Sequence, residues 1–119
     1  MSKPLFWIVE GVIQQGALDA LRSLIDEMVT SAQADEPGTM AYEWFILPDK
    51  SRICIYERYA DSPAAMKHLE TFGVRFADRL GQLVRIERVT VFGDASEEVV
   101  KALGDEDTRF LMPLSGFTR

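Results

Sequence analysis

The order of strand-like and helix-like segments is the feature that most constrains the fold of this chain. Apolar runs rich in β-branched and aromatic residues predict four strands, at residues 5–14, 39–47, 51–60 and 83–93. The link that starts at Pro48 has hairpin length, so the second and third strands are expected to be antiparallel neighbours. With a helix after the first strand and another after the third, the order is β-α-β-β-α-β. That order is typical of a ferredoxin-like α+β fold.

The helices are predicted from apolar residues that recur every three or four positions. The first lies within residues 16–33 and ends before a Pro-Gly turn. The second is predicted to have Ser62 as its cap, Pro63 in its first turn and a break at Gly73. Its predicted buried stripe consists of Ala65, Leu69, Phe72, Phe76 and Leu80.

The remaining chain reads as an extension of one domain that spans residues 1–119. The core is expected at 1–93, and the extension, 94–119, is predicted to hold a short helix capped by Ser96 and then a short strand or extended arm. No internal repeat, linker or low-complexity segment divides these residues.

Composition excludes several classes of partner. The net charge is −6, and an acidic chain gains no counterion-release energy from phosphate backbones, so no nucleic-acid partner is expected. No basic cluster or long apolar run predicts membrane association, and the first residues do not form a signal peptide. A single cysteine, Cys54, fits a cytoplasmic protein, and one Cys with one His argues against a zinc site.

The first predicted strand is apolar on both faces. Phe6 and Ile8 point to one face, while Leu5, Trp7 and Val9 point to the other. Two long helices can cover only one face of the sheet, so a monomer would expose a large apolar patch, which soluble proteins avoid. The sequence therefore predicts a homodimer whose sheets pack face to face.

Three stretches, at separations that fit this topology, resemble the antibiotic biosynthesis monooxygenase domain family. "EPGTMAYEWF" (36–45) is similar to the entry into the second strand of that family. "YERYADSPAAMKHL" (56–69) resembles the exit of the third strand followed by a helix that bears a histidine, and "LMPLSGFTR" (111–119) is similar to the end of one bacterial subgroup. The resemblance covers nearly the whole chain and implies a dimeric α+β barrel.

The family resemblance implies several possible activities. Some members oxygenate quinols with O₂ and no metal or flavin, and others degrade haem, isomerise lactones or act on breakdown products of signalling molecules, so function must be argued from the site. The chain departs from the family in having no asparagine, which the polyketide oxygenases and haem degraders place on a strand. The Trp and His of the haem degraders correspond to His68 and Asp78, which argues against haem degradation. His68 instead matches the histidine of the quinol monooxygenase-like branch, although a second helix histidine common in that branch is missing.

His68, the only histidine, is the candidate general base. A neutral imidazole has a pKa suited to removing a proton from a phenol or quinol near pH 7. The sequence places His68 at the edge of the buried stripe, with small Ala64 and Ala65 leaving room for a ring. Glu57 ranks first among the four strand glutamates as a partner of His68 or of a substrate hydroxyl; the others are Glu10, Glu43 and Glu87. A structural role is the alternative for each of these residues. His68 would then be a partly buried helix histidine, and the glutamates would form ion pairs with arginines on the strands.

Aromatic residues are expected to form the walls of a pocket between the sheet and the second helix. Flat apolar walls with a few polar groups suit a small aromatic or quinol-like ligand. The candidate substrate-binding residues are Tyr42, Trp44, Tyr59, Phe72, Phe76 and, from the end of the chain, Arg119. Core packing is the alternative for the aromatic residues, and a disordered end or a dimer clasp is the alternative for Arg119.

These residues lead to one hypothesis and two alternatives. The hypothesis is a cofactor-independent monooxygenase that oxidises a small quinol or phenol with O₂, with no metal or other cofactor. The first alternative is an isomerase or other acid–base enzyme acting on a small oxo-acid or lactone. The second is a dimeric small-molecule-binding or stress-response protein without catalysis.

Overall fold

The computed structural model describes residues 3–119 and confirms the predicted ferredoxin-like α+β fold. Its strands are β1 (Leu5–Ile13), β2 (Thr39–Ile46), β3 (Arg52–Tyr59), β4 (Val84–Phe92) and β5 (Thr108–Leu111). Its helices are α1 (Leu18–Asp35), α2 (Ser62–Arg75), α3 (Ala77–Leu83) and α4 (Glu97–Leu103). The four predicted strands are found with ends displaced by at most one residue.

All five strands form one mixed sheet in the order β2-β3-β1-β4-β5. The first three neighbouring pairs are antiparallel, as the hairpin-length link predicts for β2 and β3, and β5 runs parallel to β4. β1 lies at the centre, where Val9 is opposite Ile55 of β3 and Val89 of β4. The extension therefore contributes both a short strand and, after it, the irregular 112–119 segment.

The helices bury one face of the sheet in two apolar clusters. One cluster joins α1, α3 and the end of the sheet where β3 begins, and contains Leu21, Leu24, Met28, Ile53, Ile55, Phe76, Leu80 and Val84. The other joins α2 and α4 to the opposite end, and contains Leu5, Trp7, Tyr59, Ala65, Val91 and Val99. Strand alternation places Glu57 on this covered face, between Ile55 and Tyr59.

Two predicted details of α2 are wrong. The N-cap is Asp61, whose carboxylate accepts a hydrogen bond from the backbone N–H of Ala64, while the hydroxyl of Ser62 accepts one from the backbone N–H of Ser96. The helix also continues through Gly73 and ends at Arg75, so that the break falls at Phe76. Ser96 does cap α4, as predicted, by accepting from the backbone N–H of Val99.

None of the four helices found within residues 3–119 packs on the other face of the sheet. Phe6, Ile8, Cys54 and Tyr56 lie on this open face and are partly exposed in the single chain. The face-to-face homodimer that would cover them stays a prediction. Within residues 3–119, no helix is both long enough and apolar enough to cross a membrane.

Candidate functional site

His68 lies within the buried stripe of α2 rather than at its edge. It follows Ala65 by three residues on the same helix face, and these two are the fully buried positions of α2. His68 is only 6% exposed. Because burial of an imidazole requires partners for its two ring nitrogens, the surroundings of His68 decide its chemistry.

The first partner of His68 is Glu36, which was not among the predicted site residues. Nδ1 of His68 lies 2.7 Å from Oε1 of Glu36, and the hydroxyl of Thr39 donates to the same oxygen over 2.9 Å. Glu36 is the C-cap of α1, where the helix dipole disfavours a negative charge and where the last turn has no basic residue. A carboxylate at the C-terminal end of a helix is a feature of the sequence that indicates a nearby cation from another part of the fold.

The second partner is Glu57, which the sequence ranks first among the four strand glutamates. Its Oε1 lies 3.1 Å from Nε2 of His68 and accepts a hydrogen bond of 2.6 Å from the hydroxyl of Tyr59. Glu57 is 5% exposed and Tyr59 is fully buried. The imidazole is therefore held between two buried carboxylates, from the end of α1 and from β3, and each carboxylate has a hydroxyl donor of its own.

The charges of this cluster follow from these contacts. Burial alone would lower the pKa of His68, but the hydrogen bonds and charges of Glu36 and Glu57 outweigh it and raise the pKa to about 9. Burial alone would raise the pKa of Glu36, but the hydrogen bond and charge of His68, with help from Thr39, lower it. At pH 7 the imidazole is therefore positively charged, and it donates one N–H hydrogen bond to each carboxylate.

Three of the predicted aromatic residues surround His68. The ring of Tyr42 meets the imidazole edge-on with a centroid distance of 5.0 Å, and the ring of Tyr59 lies 5.4 Å away. Phe72, one turn along α2, is parallel to the imidazole at 6.5 Å. Burial and the charge of Glu57 raise the pKa of both tyrosines, so their hydroxyls stay protonated and act as neutral donors.

Trp44 lies next to Tyr42, at a ring distance of 6.0 Å. Its indole N–H is buried and has no hydrogen-bond partner among residues 3–119. The indole is near enough to lower the pKa of Tyr42 against the effect of burial, but the Tyr42 hydroxyl itself points to the sulfur of Met28, 3.8 Å away. An unpartnered buried donor is costly, so this N–H is available to an oxygen acceptor that reaches the Tyr42 side of the cluster.

Phe76 and Arg119 lie apart from His68. Phe76 belongs to the apolar cluster of α1 and α3, and the guanidinium groups of Arg75 and Arg79 lie over its ring at 4.9 and 5.7 Å. Arg119 is exposed and stacks on Phe117, which borders a cavity on the open face of the sheet. These placements separate both residues from the side chains that contact the imidazole.

The remaining strand glutamates also lie outside the cluster. Glu10 and Glu43 are exposed, and Glu87 pairs with Arg52 and Arg85 near the surface. Of the four, only Glu57 lies beside His68.

The room expected beside Ala64 is filled by the backbone of the turn after α1. A methyl group added to Gly38 would lie 2.5 Å from the Cβ of Ala64. Open space instead occurs between α1 and β2, in a cleft of about 250 Å³ lined by Val29, Ala32, Gln33, Thr39, Met40, Ala41 and Tyr42. Thr39 and Tyr42 connect this cleft to the two sides of the Glu36–His68 contact.

In the described part of the chain, the acidic and sulfur-bearing side chains do not form a metal site. Across residues 3–119, no three or more His, Cys, Asp or Glu side chains are arranged to hold a metal ion. Cys54, on the open face, has a raised pKa because of burial and the nearby charge of Glu10, which keeps its thiol protonated.

Comparison with solved structures identifies this fold in several bacterial proteins. MupZ from Pseudomonas fluorescens is similar over 100% of this chain and 91% of its own, with a TM-score of 0.83 and 18% identity. Rv0793 from Mycobacterium tuberculosis matches 79% of this chain and 97% of its own, with a TM-score of 0.64 and 26% identity. SnoaB, a cofactor-independent oxygenase from Streptomyces nogalater, matches 80% and 96%, with a TM-score of 0.66 and 16% identity.

Comparison with curated protein sequences gives no significant match. The sequence pattern of the antibiotic biosynthesis monooxygenase family, however, matches residues 8–77, a span that includes Glu36, Glu57 and His68. This chain therefore belongs to the antibiotic biosynthesis monooxygenase family.

Proposed function

We propose that this protein is a cofactor-independent monooxygenase that oxidises a small phenol or quinol with O₂, and that His68 is its general base. The observation that carries the proposal is the buried imidazole between Glu36 and Glu57, bordered by three aromatic rings. Family membership supports the reaction type, and an oxygenase with the same fold works without a cofactor.

The raised pKa of His68 suits this substrate class. A phenol has a pKa near 10, so transfer of its proton to an imidazole with a pKa of about 9 costs only about 1.4 kcal/mol. An ordinary histidine would be a poorer base by more than two pKa units. The drawback is that only about 1% of His68 is in the basic form at pH 7.

Nε2 is the nitrogen that we expect to exchange with substrate. Its contact with Glu57, at 3.1 Å, is longer than the 2.7 Å contact between Nδ1 and Glu36. Glu36 would then hold the ring in place through Nδ1, and Glu57 would accept the hydrogen bond again after the proton has been transferred. Access would lie on the Tyr42 side, where the α1–β2 cleft ends and the unpartnered N–H of Trp44 could bind a substrate oxygen.

The redox step needs no electron from the protein. In a phenol, the ring C–H opposite the hydroxyl becomes a carbonyl and the phenolic C–O becomes the second carbonyl of a quinone. One oxygen atom of O₂ enters the product, and the other leaves as water with the two hydrogens lost from the ring carbon and the hydroxyl. The substrate supplies all the electrons, and the base makes the substrate an electron-rich anion that O₂ can attack. The roles left to the protein are deprotonation, orientation of the anion and exclusion of bulk water.

The test is oxygen consumption with a panel of phenols, hydroquinones and naphthoquinols. Wild-type protein should consume O₂ with at least one of them, with kcat/KM rising about tenfold per pH unit up to pH 9. His68→Gln should lose at least about a hundredfold of this activity, while Arg79→Gln, in an exposed ion pair with Glu27, should keep it. Circular dichroism would verify that both variants are folded.

Two results would contradict the proposal in different ways. O₂ consumption that is unchanged in folded His68→Gln would refute the role of His68 and leave the oxygenase activity standing. Turnover of an oxo-acid or lactone under anaerobic conditions would show an acid–base enzyme instead.

The non-catalytic alternative is favoured by one observation, the 6% exposure of His68. A packed imidazole can serve the fold alone. Ligand binding seen by calorimetry, with neither O₂ consumption nor anaerobic turnover, would support a binding protein.

A further inference from the structure

The exposed apolar side chains of this protein are concentrated at two corners of the sheet. Of the eleven large apolar side chains exposed within residues 3–119, seven lie at these corners. The first, the β2 corner, is formed by Phe45, Ile46 and Leu47. The second, the 111–117 segment, carries Leu111, Met112, Leu114 and Phe117, of which Leu114 is 99% and Phe117 79% exposed.

The two corners lie diagonally across the open face. The β2 corner lies at the edge strand β2 and at the end of the sheet where β1 finishes, because Phe45 is opposite Cys54 and Cys54 is opposite Glu10. The 111–117 segment lies past the other edge strand, β5, at the end where β1 begins, beside Phe6, Arg58 and Phe92.

The β2 corner contains a cavity that suits a single side chain. It has a volume of about 200 Å³ and is lined by Glu10, Gly11, Phe45, Ile46, Leu47, Arg52, Ile53 and Cys54. Its mostly apolar lining fits an aromatic or aliphatic side chain from another polypeptide.

Symmetry relates these two corners. In a face-to-face dimer the two-fold axis lies between the sheets, and an axis at about 45° to the strands exchanges diagonal corners. Such an axis brings the 111–117 segment of each copy over the β2 corner of the other, in both directions at once. We propose that Phe117 of one copy inserts into the β2-corner cavity of a second copy, so that the sheets cross at about 90°.

Charge supports the same arrangement. Glu10, at the cavity, makes no ion pair with another residue of the 3–119 range, and Arg119, two positions after Phe117, lies over the Phe117 ring at 4.9 Å. Insertion of Phe117 would bring the guanidinium of Arg119 toward the carboxylate of Glu10 on the other copy. This inference is independent of the catalytic proposal, since it involves the open face and not the His68 cluster.

A crosslinking experiment tests the placement directly. In a Cys54→Ser background, which removes the only native thiol, Thr118→Cys and Phe45→Cys would be made in separate chains, so that Phe117 itself is kept. Both positions are exposed, so the substitutions should leave the fold intact. After mixing and mild oxidation, a disulfide-linked pair of chains is expected from the mixture and not from either chain alone.

The matched control replaces Phe45→Cys by Val74→Cys, which is 82% exposed on α2 and lies away from the open face. That mixture should give no crosslink. In the native-cysteine protein, Phe117→Ala should weaken dimerisation at least about tenfold in analytical ultracentrifugation, which corresponds to about 1.4 kcal/mol.

Two outcomes would overturn the inference. A protein that stays monomeric in the ultracentrifuge at the highest concentration tested has no such contact. A dimer that forms no crosslink between positions 118 and 45, or whose affinity is unchanged in Phe117→Ala, uses another axis or another surface.

Discussion

The positive charge of His68 should be a measurable part of the stability of this protein. Each pKa unit corresponds to about 1.4 kcal/mol, so a rise from 6.5 in the unfolded chain to about 9 in the folded one amounts to about 3 kcal/mol. Because the pKa is raised on folding, this stabilisation is fully present below about pH 6.5 and is lost as the pH rises through 9. About 2.5 kcal/mol should remain at pH 7 and almost none above pH 10.

Glu36 sets the lower limit of the pH range over which the cluster stabilises the fold. Its pKa is lowered on folding, so its contribution is present above its ordinary pKa of 4.5 and is lost as the pH falls further. The two shifts describe one interaction and are not added. The cluster should therefore stabilise the fold most between about pH 4.5 and 6.5.

Titration can be followed without ambiguity because His68 is the only histidine. Ring resonances in ¹⁵N or ¹³C NMR spectra should give a midpoint near pH 9. Urea unfolding at pH 6.5 and 10, at one protein concentration, would give the free energies of unfolding of wild type and His68→Gln. The difference between the two proteins should be about 3 kcal/mol or more at pH 6.5, since the variant leaves two buried carboxylates without a cation.

The same difference should be close to zero at pH 10, where the wild-type imidazole has lost its charge. An NMR midpoint at or below pH 7 would refute the argument. So would a difference in unfolding free energy that is equal at the two pH values, because it would show that His68 acts through packing and not through charge.

Two further substitutions test the surroundings of the His68 cluster, and a third tests a surface ion pair. Gly38→Ala should cost about 1–3 kcal/mol of unfolding free energy in urea titrations, because the added methyl would lie 2.5 Å from Ala64; a neutral effect would mean that the turn adjusts freely. Tyr59→Phe should cost about 1–2 kcal/mol and raise the NMR midpoint of His68, because Glu57 loses a 2.6 Å donor and turns more fully to the imidazole; an unchanged midpoint would contradict this coupling. Arg79→Gln should leave the urea midpoint of unfolding unchanged, since its ion pair with Glu27 is exposed, and a clear drop in that midpoint would contradict a negligible role of this surface pair.

The strands of this fold could be predicted from the sequence because the signals are local. Period-two and continuous apolar runs located β1 to β4 to within one residue, and Ser96 was recognised as a cap from its position before an apolar run. The break between the two helical segments was predicted at Gly73 but lies at Phe76. A glycine only weakens a helix, whereas Phe76 is buried in the core and has two arginines over its ring.

The cap of α2 shows how tertiary contacts choose between equivalent local signals. Asp61 and Ser62 are both good N-caps by residue type. The hydroxyl of Ser62 is engaged by the backbone N–H of Ser96, 34 positions later, and Asp61 caps the helix instead. No pattern within one helix reveals a competitor of this kind.

The candidate site was predictable only where its residues lie close together in the sequence. Glu57 could be associated with His68 because the two are eleven positions apart across one strand–helix connection. Glu36 lies 32 positions from His68, and their contact depends on the turn at Gly38 packing against α2. The prediction of open space beside Ala64 was wrong because of the same turn. The small side chain of Ala64 makes room for the backbone at Gly38 and not for a ligand.

If the proposed reaction is correct, activity and stability oppose each other at His68. Chemistry requires the neutral imidazole, which predominates only above about pH 9, and that same form gives up the ion pairs with Glu36 and Glu57. These ion pairs join the end of α1, β3 and α2, so neutralising the imidazole loosens the elements that border the α1–β2 cleft. Some loosening is useful, because a ring buried to 6% exposure must admit a substrate. We therefore expect the rate to rise with pH while the free energy of unfolding falls, with one titration of His68 setting the midpoint of both curves.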